Sequence, residues 1–122
     1  MTMKAFVSKQ GKRLRLFIGE AEEWQGKPLC QVLVEQAHQH GALGAAVLRG
    51  IEGFGPAHHL STDRFPDIAE NLPLIIEIVD SDEQIERLLP VLDRLMQRGM
   101  ITVTPVEIIL GGEREEQWEV FH

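Results

Sequence analysis

Between Leu72 and Val79 the chain reads LPLIIEIV, its most continuously apolar run, and DSDEQ follows at once. A run this short and this apolar predicts an internal strand, because a strand covered on its faces shows little alternation. Glu77 is its one charged residue. Asp80 to Gln84 predicts a helix start. Ser81 and Gln84 stand at capping-box spacing, and Asp82 and Glu83 suit the positive end of the helix dipole. Ile85, Leu88, Leu89, Leu92, Leu95 and Met96 continue along one helical face, and Gly99 closes it. An internal strand running directly into an amphipathic helix needs further strands on its flanks.

The remaining elements supply them. Arg13 to Ile18 alternates, with Leu14, Leu16 and Ile18 on one side and Arg13, Arg15 and Phe17 on the other, a strand period. Gly19 to Gly26 reads as a turn region punctuated by glycine. Pro28 suits the first turn of a helix carrying Leu29, Val32, Leu33 and Ala37 at helical spacing, stopped at Gly41. Residues 44–54 read as a second strand weakened by Gly50 and Gly53. Ile101 to Leu110 is a last strand, and Pro105 assigns it to an edge.

The order β-α-β-β-α-β is the ferredoxin-like plan, an α+β fold whose antiparallel sheet carries its two helices on one face. That plan orders the strands 4-1-3-2, so the glycine-weakened and proline-bearing strands lie at the edges and the apolar strand inside. The domain is expected over residues 12–110, with a leader at 1–11. An acidic tail at 111–122 would either fray or add a strand to a neighbouring chain. Helices on one face leave Phe17, Ile75 and Val79 on the other. A contiguous apolar surface of this kind predicts a homo-oligomer packed through its sheets.

Charge and cysteine content narrow the function. Twelve basic against 19 acidic residues give a net charge of −7. That balance argues against a nucleic-acid partner, which needs a basic stripe. The single cysteine excludes an intrachain disulfide and fits a reducing, cytoplasmic setting. The N-terminal segment has no signal-peptide run, and no segment approaches the roughly 18 apolar residues of a membrane helix.

The candidate site is the long polar connection at 55–71 and the turn leading into it, Gly50-Ile51-Glu52-Gly53-Phe54-Gly55. Connections beyond about 12–15 residues without structure of their own are usually functional or disordered. Glycines let backbone N–H groups turn inward as an anion-binding nest. Arg49 precedes the cluster, and His58, His59 and Arg64 follow it. The spacing is not the dinucleotide fingerprint, because no helix pattern follows Gly55. Neighbouring histidines do not readily share one metal, and neither a Cys pair nor HExxH spacing is present, so no metal is expected. Nor is there a catalytic constellation. Cys30 lies in the apolar part of the first helix, and Ser61 and Thr62 have no orienting motif. Glu77 is expected to pair with an arginine of a neighbouring chain, with Arg13 or Arg15 on the adjacent strand as the obvious candidate.

The segments LRLFIGE (14–20), GKPLCQVLVEQAHQHGALGAAVLRGIEGFG (26–55) and ENLPLIIEIVDSDEQIERLLPVLD (70–93) together resemble the UPF0166 family, also called domain of unknown function 190. That family is in turn similar to the PII signalling proteins. There a Gly-Phe-Gly turn leads into a long T-loop, and a Leu-Pro strand returns to an acidic helix start. The counterparts here are Gly53-Phe54-Gly55, Leu72-Pro73 and Asp82-Glu83-Gln84. The resemblance implies a homotrimeric sensor, not an enzyme, with nucleotide sites in intersubunit clefts roofed by the loop.

It departs from the PII pattern where the second helix passes through Gln97-Arg98-Gly99 straight into the last strand, and where Leu74 replaces a lysine. AMP, ADP or a cyclic nucleotide is therefore expected over ATP, as an effector and not a resident cofactor. The residues expected to bind it are Arg49, Gly50, Gly53, Phe54, Gly55, His59 and Arg64. Family members joined to fluoride-channel domains imply a transporter or other protein partner. The alternative implied by the same architecture is a metal-handling trimer similar to the divalent-cation tolerance proteins, using His58 or His59.

Overall fold

Twelve residues of alternating character, Ser8–Gly19, form β1, the strand on which both halves of the fold meet. In this computed structural model, which describes residues 8–56, 59–63 and 71–110, the chain continues through β2 (Glu23–Trp24) and β3 (Lys27–Pro28) into α1 (Leu29–Gln39). Next come β4 (Gly44–Arg49), β5 (Glu52–Gly53), β6 (Ser61–Thr62) and β7 (Pro73–Ser81). Helix α2 (Asp82–Leu95) and strand β8 (Met100–Ile109) complete the described elements. The main sheet is antiparallel, in the order β4-β7-β1-β8. This is the ferredoxin-like arrangement expected from the element order, with the proline-bearing strand at one edge and β7 inside.

Side-chain period dictates the layers. Leu14, Leu16 and Ile18 from β1 join Leu74, Ile76 and Ile78 from β7 on the face the helices cover. Leu29, Leu33 and Ala37 of α1, with Ile85, Leu88 and Leu92 of α2, close that core from above. Ser81 caps α2 by accepting from the Gln84 amide at 3.3 Å, the predicted box position, and Asp82 and Glu83 occupy its first turn. Leu88 is 1% exposed. Leu88→Ala therefore removes packed methyl groups and leaves a cavity, at a cost of about 2–5 kcal/mol, read as a lower urea midpoint with an unchanged slope.

Four differences from the sequence reading have local causes. Ser8 to Gly11 are not leader but strand, because β8 is long enough to pair with them as far as Ser8 opposite Ile109. The turn region holds a small hairpin, with Trp24 opposite Lys27 and positive φ at Gln25 (48°) and Gly26 (82°), as a two-residue hairpin turn requires. The second strand ends at Arg49 instead of running to 54. The Gly50 amide makes its bond to the Pro73 carbonyl at 2.7 Å, and the chain then leaves the sheet. Part of the long connection is ordered as well, since β6 turns back onto β5 with Gly53 opposite Ser61. Residues 1–7, 57–58, 64–70 and the tail from 111 lie outside the described residues, so the expectations for the tail, His58 and Arg64 fall there.

The opposite sheet face carries no helix among the described elements. The register puts Phe17 beside Ile75 and Met100, and Leu48 beside Ile75. In the middle of this face Arg15 Nε donates to Glu77 Oε1 at 2.7 Å. Glu77 thus finds its arginine within its own chain, not on a neighbour, because strand pairing sets Arg15 directly opposite it. Among the described residues, Arg13 Nε is enclosed without an acceptor.

Candidate functional site

The site begins with how tightly the ends of the strands are tied together. Asn71 holds φ of 56°, a left-handed conformation that asparagine tolerates. Its Oδ1 accepts from the Ala21 amide at 2.9 Å, and the Glu20 amide donates to the Leu72 carbonyl at 2.8 Å. Glu22 turns back to accept from the Gly19 amide at 2.7 Å. On the neighbouring strand, a Cβ on Gly50 would lie 2.6 Å from Pro73 Cγ, so only glycine permits that approach. The turn after β1, the start of β7 and the exit of β4 are therefore one fixed rim.

A cleft of about 340 Å³ opens beside this rim. Phe17, Ile18 and Gly19 from the end of β1 contribute one wall. Gly53, Phe54, Gly55, His59 and Ser61 from the β5–β6 arm contribute another. The turn from α2 into β8 brings Arg98, Gly99 and Met100 to the same space. That turn depends on Gly99, whose φ is 104° and whose Cβ would meet the Phe17 carbonyl oxygen at 2.2 Å. Phe54 is 62% exposed beside this space.

The structure thus brings together Gly53, Phe54, Gly55 and His59 of the expected set. Arg49 and Gly50 are employed beside the cleft, not in its lining. Arg49 forms a two-pronged pair with Glu20, Nε to Oε2 at 2.9 Å and Nη2 to Oε1 at 3.1 Å. These hydrogen bonds, followed by the guanidinium's charge, hold the Glu20 carboxyl below its usual range, and the pair raises Arg49 in turn. Both groups are solvent-accessible, so the pair fixes geometry more than it adds stability. Arg64 lies outside the described residues.

The sequence reading missed Arg98, Glu22 and Asn71. Arg98 lies with its Nε 3.7 Å from Glu22 Oε1, and these are the full positive and negative charges lining the cleft among the described residues. The available signal for Arg98 was a basic residue directly before the glycine that closes α2. Glu22 had none, being one of several acids in GEAEEWQG.

Other candidate chemistry is weaker. Burial pushes the Cys30 thiol up, away from the reactive thiolate. Among the described residues, no group of three or more His, Cys, Asp or Glu side chains is placed to hold a metal ion. No described helix is long and apolar enough to cross a membrane.

The four-stranded antiparallel sheet with its two helices is the fold of PII-like proteins of known structure. CPII of Thiomonas intermedia K12, a nitrogen regulatory PII-like protein solved with ADP, AMP and bicarbonate, is similar in fold. Its TM-score is 0.62 at 15% identity, over 93% of this chain and 97% of that one. CutA1 of Oryza sativa is also similar, with a TM-score of 0.54 at 10% identity, over 92% and 90% of the two chains. The family described as DUF190, Uncharacterized ACR, COG1993, matches residues 11–108, and the chain belongs to that family. A UPF0166 protein of Aquifex aeolicus (strain VF5) is 36% identical over 98 residues, 80% of this chain and 92% of the relative.

Proposed function

We propose that this chain is a cytoplasmic, PII-like homotrimeric regulatory protein. It binds an adenine nucleotide, AMP or ADP in preference to ATP, and passes the bound state to a protein partner through the 55–71 loop. The observation that carries the reading is the cleft itself. The Gly53-Phe54-Gly55 turn, His59 and Arg98 surround one space of about 340 Å³, within the roughly 300–1,000 Å³ typical of small-molecule sites. The fold likeness to a protein solved with ADP and AMP supports the choice of ligand class.

The roles follow from chemistry. Phe54 would stack on the base or cover the ribose, and Arg98 would meet phosphate with a charge-assisted hydrogen bond. The backbone about Gly55, where a Cβ would meet nothing within 4 Å, leaves room for close approach of an anion. The role is regulatory, with no chemical step assigned to any residue. Trimer formation would cover the helix-free sheet face and place a neighbour beside the cleft, and loop ordering on ligand binding is an established kind of switch.

Calorimetric titration with AMP, ADP, ATP and cyclic nucleotides tests the ligand. Micromolar binding of AMP or ADP is expected, and no binding tighter than millimolar by any of them would reject the reading. Arg98→Ala should weaken AMP and ADP binding by roughly 10- to 100-fold, the loss of one charge-assisted contact of about 1.5–3 kcal/mol. Native mass spectrometry checks the subunit number and any nucleotide carried through purification.

A further inference from the structure

The cleft holds its own counter-charge. We propose that Glu22 acts as a charge filter, setting a preference for ligands with few negative charges. This rests on the nucleotide reading above. Glu22 is pinned, since its Oε2 accepts from the Gly19 amide at 2.7 Å while its Oε1 faces Arg98 Nε at 3.7 Å. The exposures of the two side chains differ, 18% for Glu22 against 75% for Arg98. The guanidinium has room to swing toward a ligand, and the carboxylate does not turn away.

An anion entering the cleft therefore competes with a fixed negative charge for the lining's one permanent cation among the described residues. A monophosphate needs only Arg98. Each further phosphate extends negative charge through a small space walled by Glu22, and no second lysine or arginine of the described lining offsets it. Repulsion between unit charges a few ångströms apart, in a site partly screened from water, grows with every charge the ligand adds. Glu22 thus gives a physical cause, within the cleft, for a ranking of adenine nucleotides by charge.

The test compares wild type, Glu22→Gln and Glu23→Gln by calorimetric titration with AMP, ADP and ATP in magnesium-free buffer. Glutamine keeps an acceptor for the Gly19 amide, and thermal melts verify that each variant is folded. Glu23 is exposed in β2 and outside the cleft, so its variant removes the same net charge elsewhere. In Glu22→Gln the ATP-to-AMP affinity ratio should rise about tenfold, with the gain shrinking as salt is raised. Glu23→Gln should leave the ratio unchanged. Nucleotides bound with an unaltered ratio in Glu22→Gln, or an equal rise in Glu23→Gln, would overturn the filter and leave the nucleotide reading standing. Binding of no nucleotide by any of the proteins would overturn both.

Discussion

Gly99→Ala should unfold at a clearly lower urea concentration than the parent chain, with a loss on the order of 3 kcal/mol. Two causes act together. The backbone at this position has φ of 104°, which a side chain bearing Cβ rarely adopts. The added methyl would also meet the Phe17 carbonyl oxygen at 2.2 Å and Met96 Cε at 3.3 Å. The methionine can move, but the carbonyl belongs to β1 where Phe17 pairs with Met100, so relief means opening the end of the ladder. Because the same turn carries Arg98, AMP binding should weaken along with stability. An unfolding midpoint within error of the parent would show that the turn tolerates a different backbone conformation.

Asp80→Ala should be of comparable size, about 2–4 kcal/mol, for a different reason. Asp80 is 0% exposed. Its Oδ2 accepts from the Leu43 amide at 2.9 Å and its Oδ1 from the Ser81 amide at 2.7 Å. It thereby ties the turn between α1 and β4 to the junction of β7 with α2. Alanine strips the acceptor from both part-buried amides, and a donor left unsatisfied away from water costs more than a hydrogen bond gains. Asp80→Asn should lie between, since one oxygen remains while the amide nitrogen faces the other N–H. Urea unfolding of both variants reads this order, and an asparagine variant as unstable as the alanine one would contradict it.

These two residues mark where the sequence was legible and where it was not. Helix α2 was readable because Ser81, Gln84 and the Ile85-Leu88-Leu92 stripe are local signals whose meaning does not depend on distant chain. Strand β7 and its internal place followed from its unbroken apolar run. The Gly53-Phe54-Gly55 turn and His59 were readable for the same reason, as a motif within a few residues of itself. The β2–β3 hairpin was not, because strands this short show no alternation and Gln25-Gly26 is hidden among acids. Arg98 and Glu22 meet only because β1 pairs with β8 on one side and β7 on the other. Their proximity is a product of register, which no local spacing contains. Arg49 shows the converse: a cation expected at the ligand is taken by Glu20, which strand pairing places beside it.

The Arg15–Glu77 bridge at the middle of the helix-free face has a consequence for whatever comes to rest there. A purely oily surface would accept a neighbour at many offsets. A plus-minus stud set among Phe17, Ile75 and Val79 penalises every placement that smothers it without offering hydrogen bonds in return. A neighbour docking on that surface would therefore be selected for its orientation and not only for its apolar area.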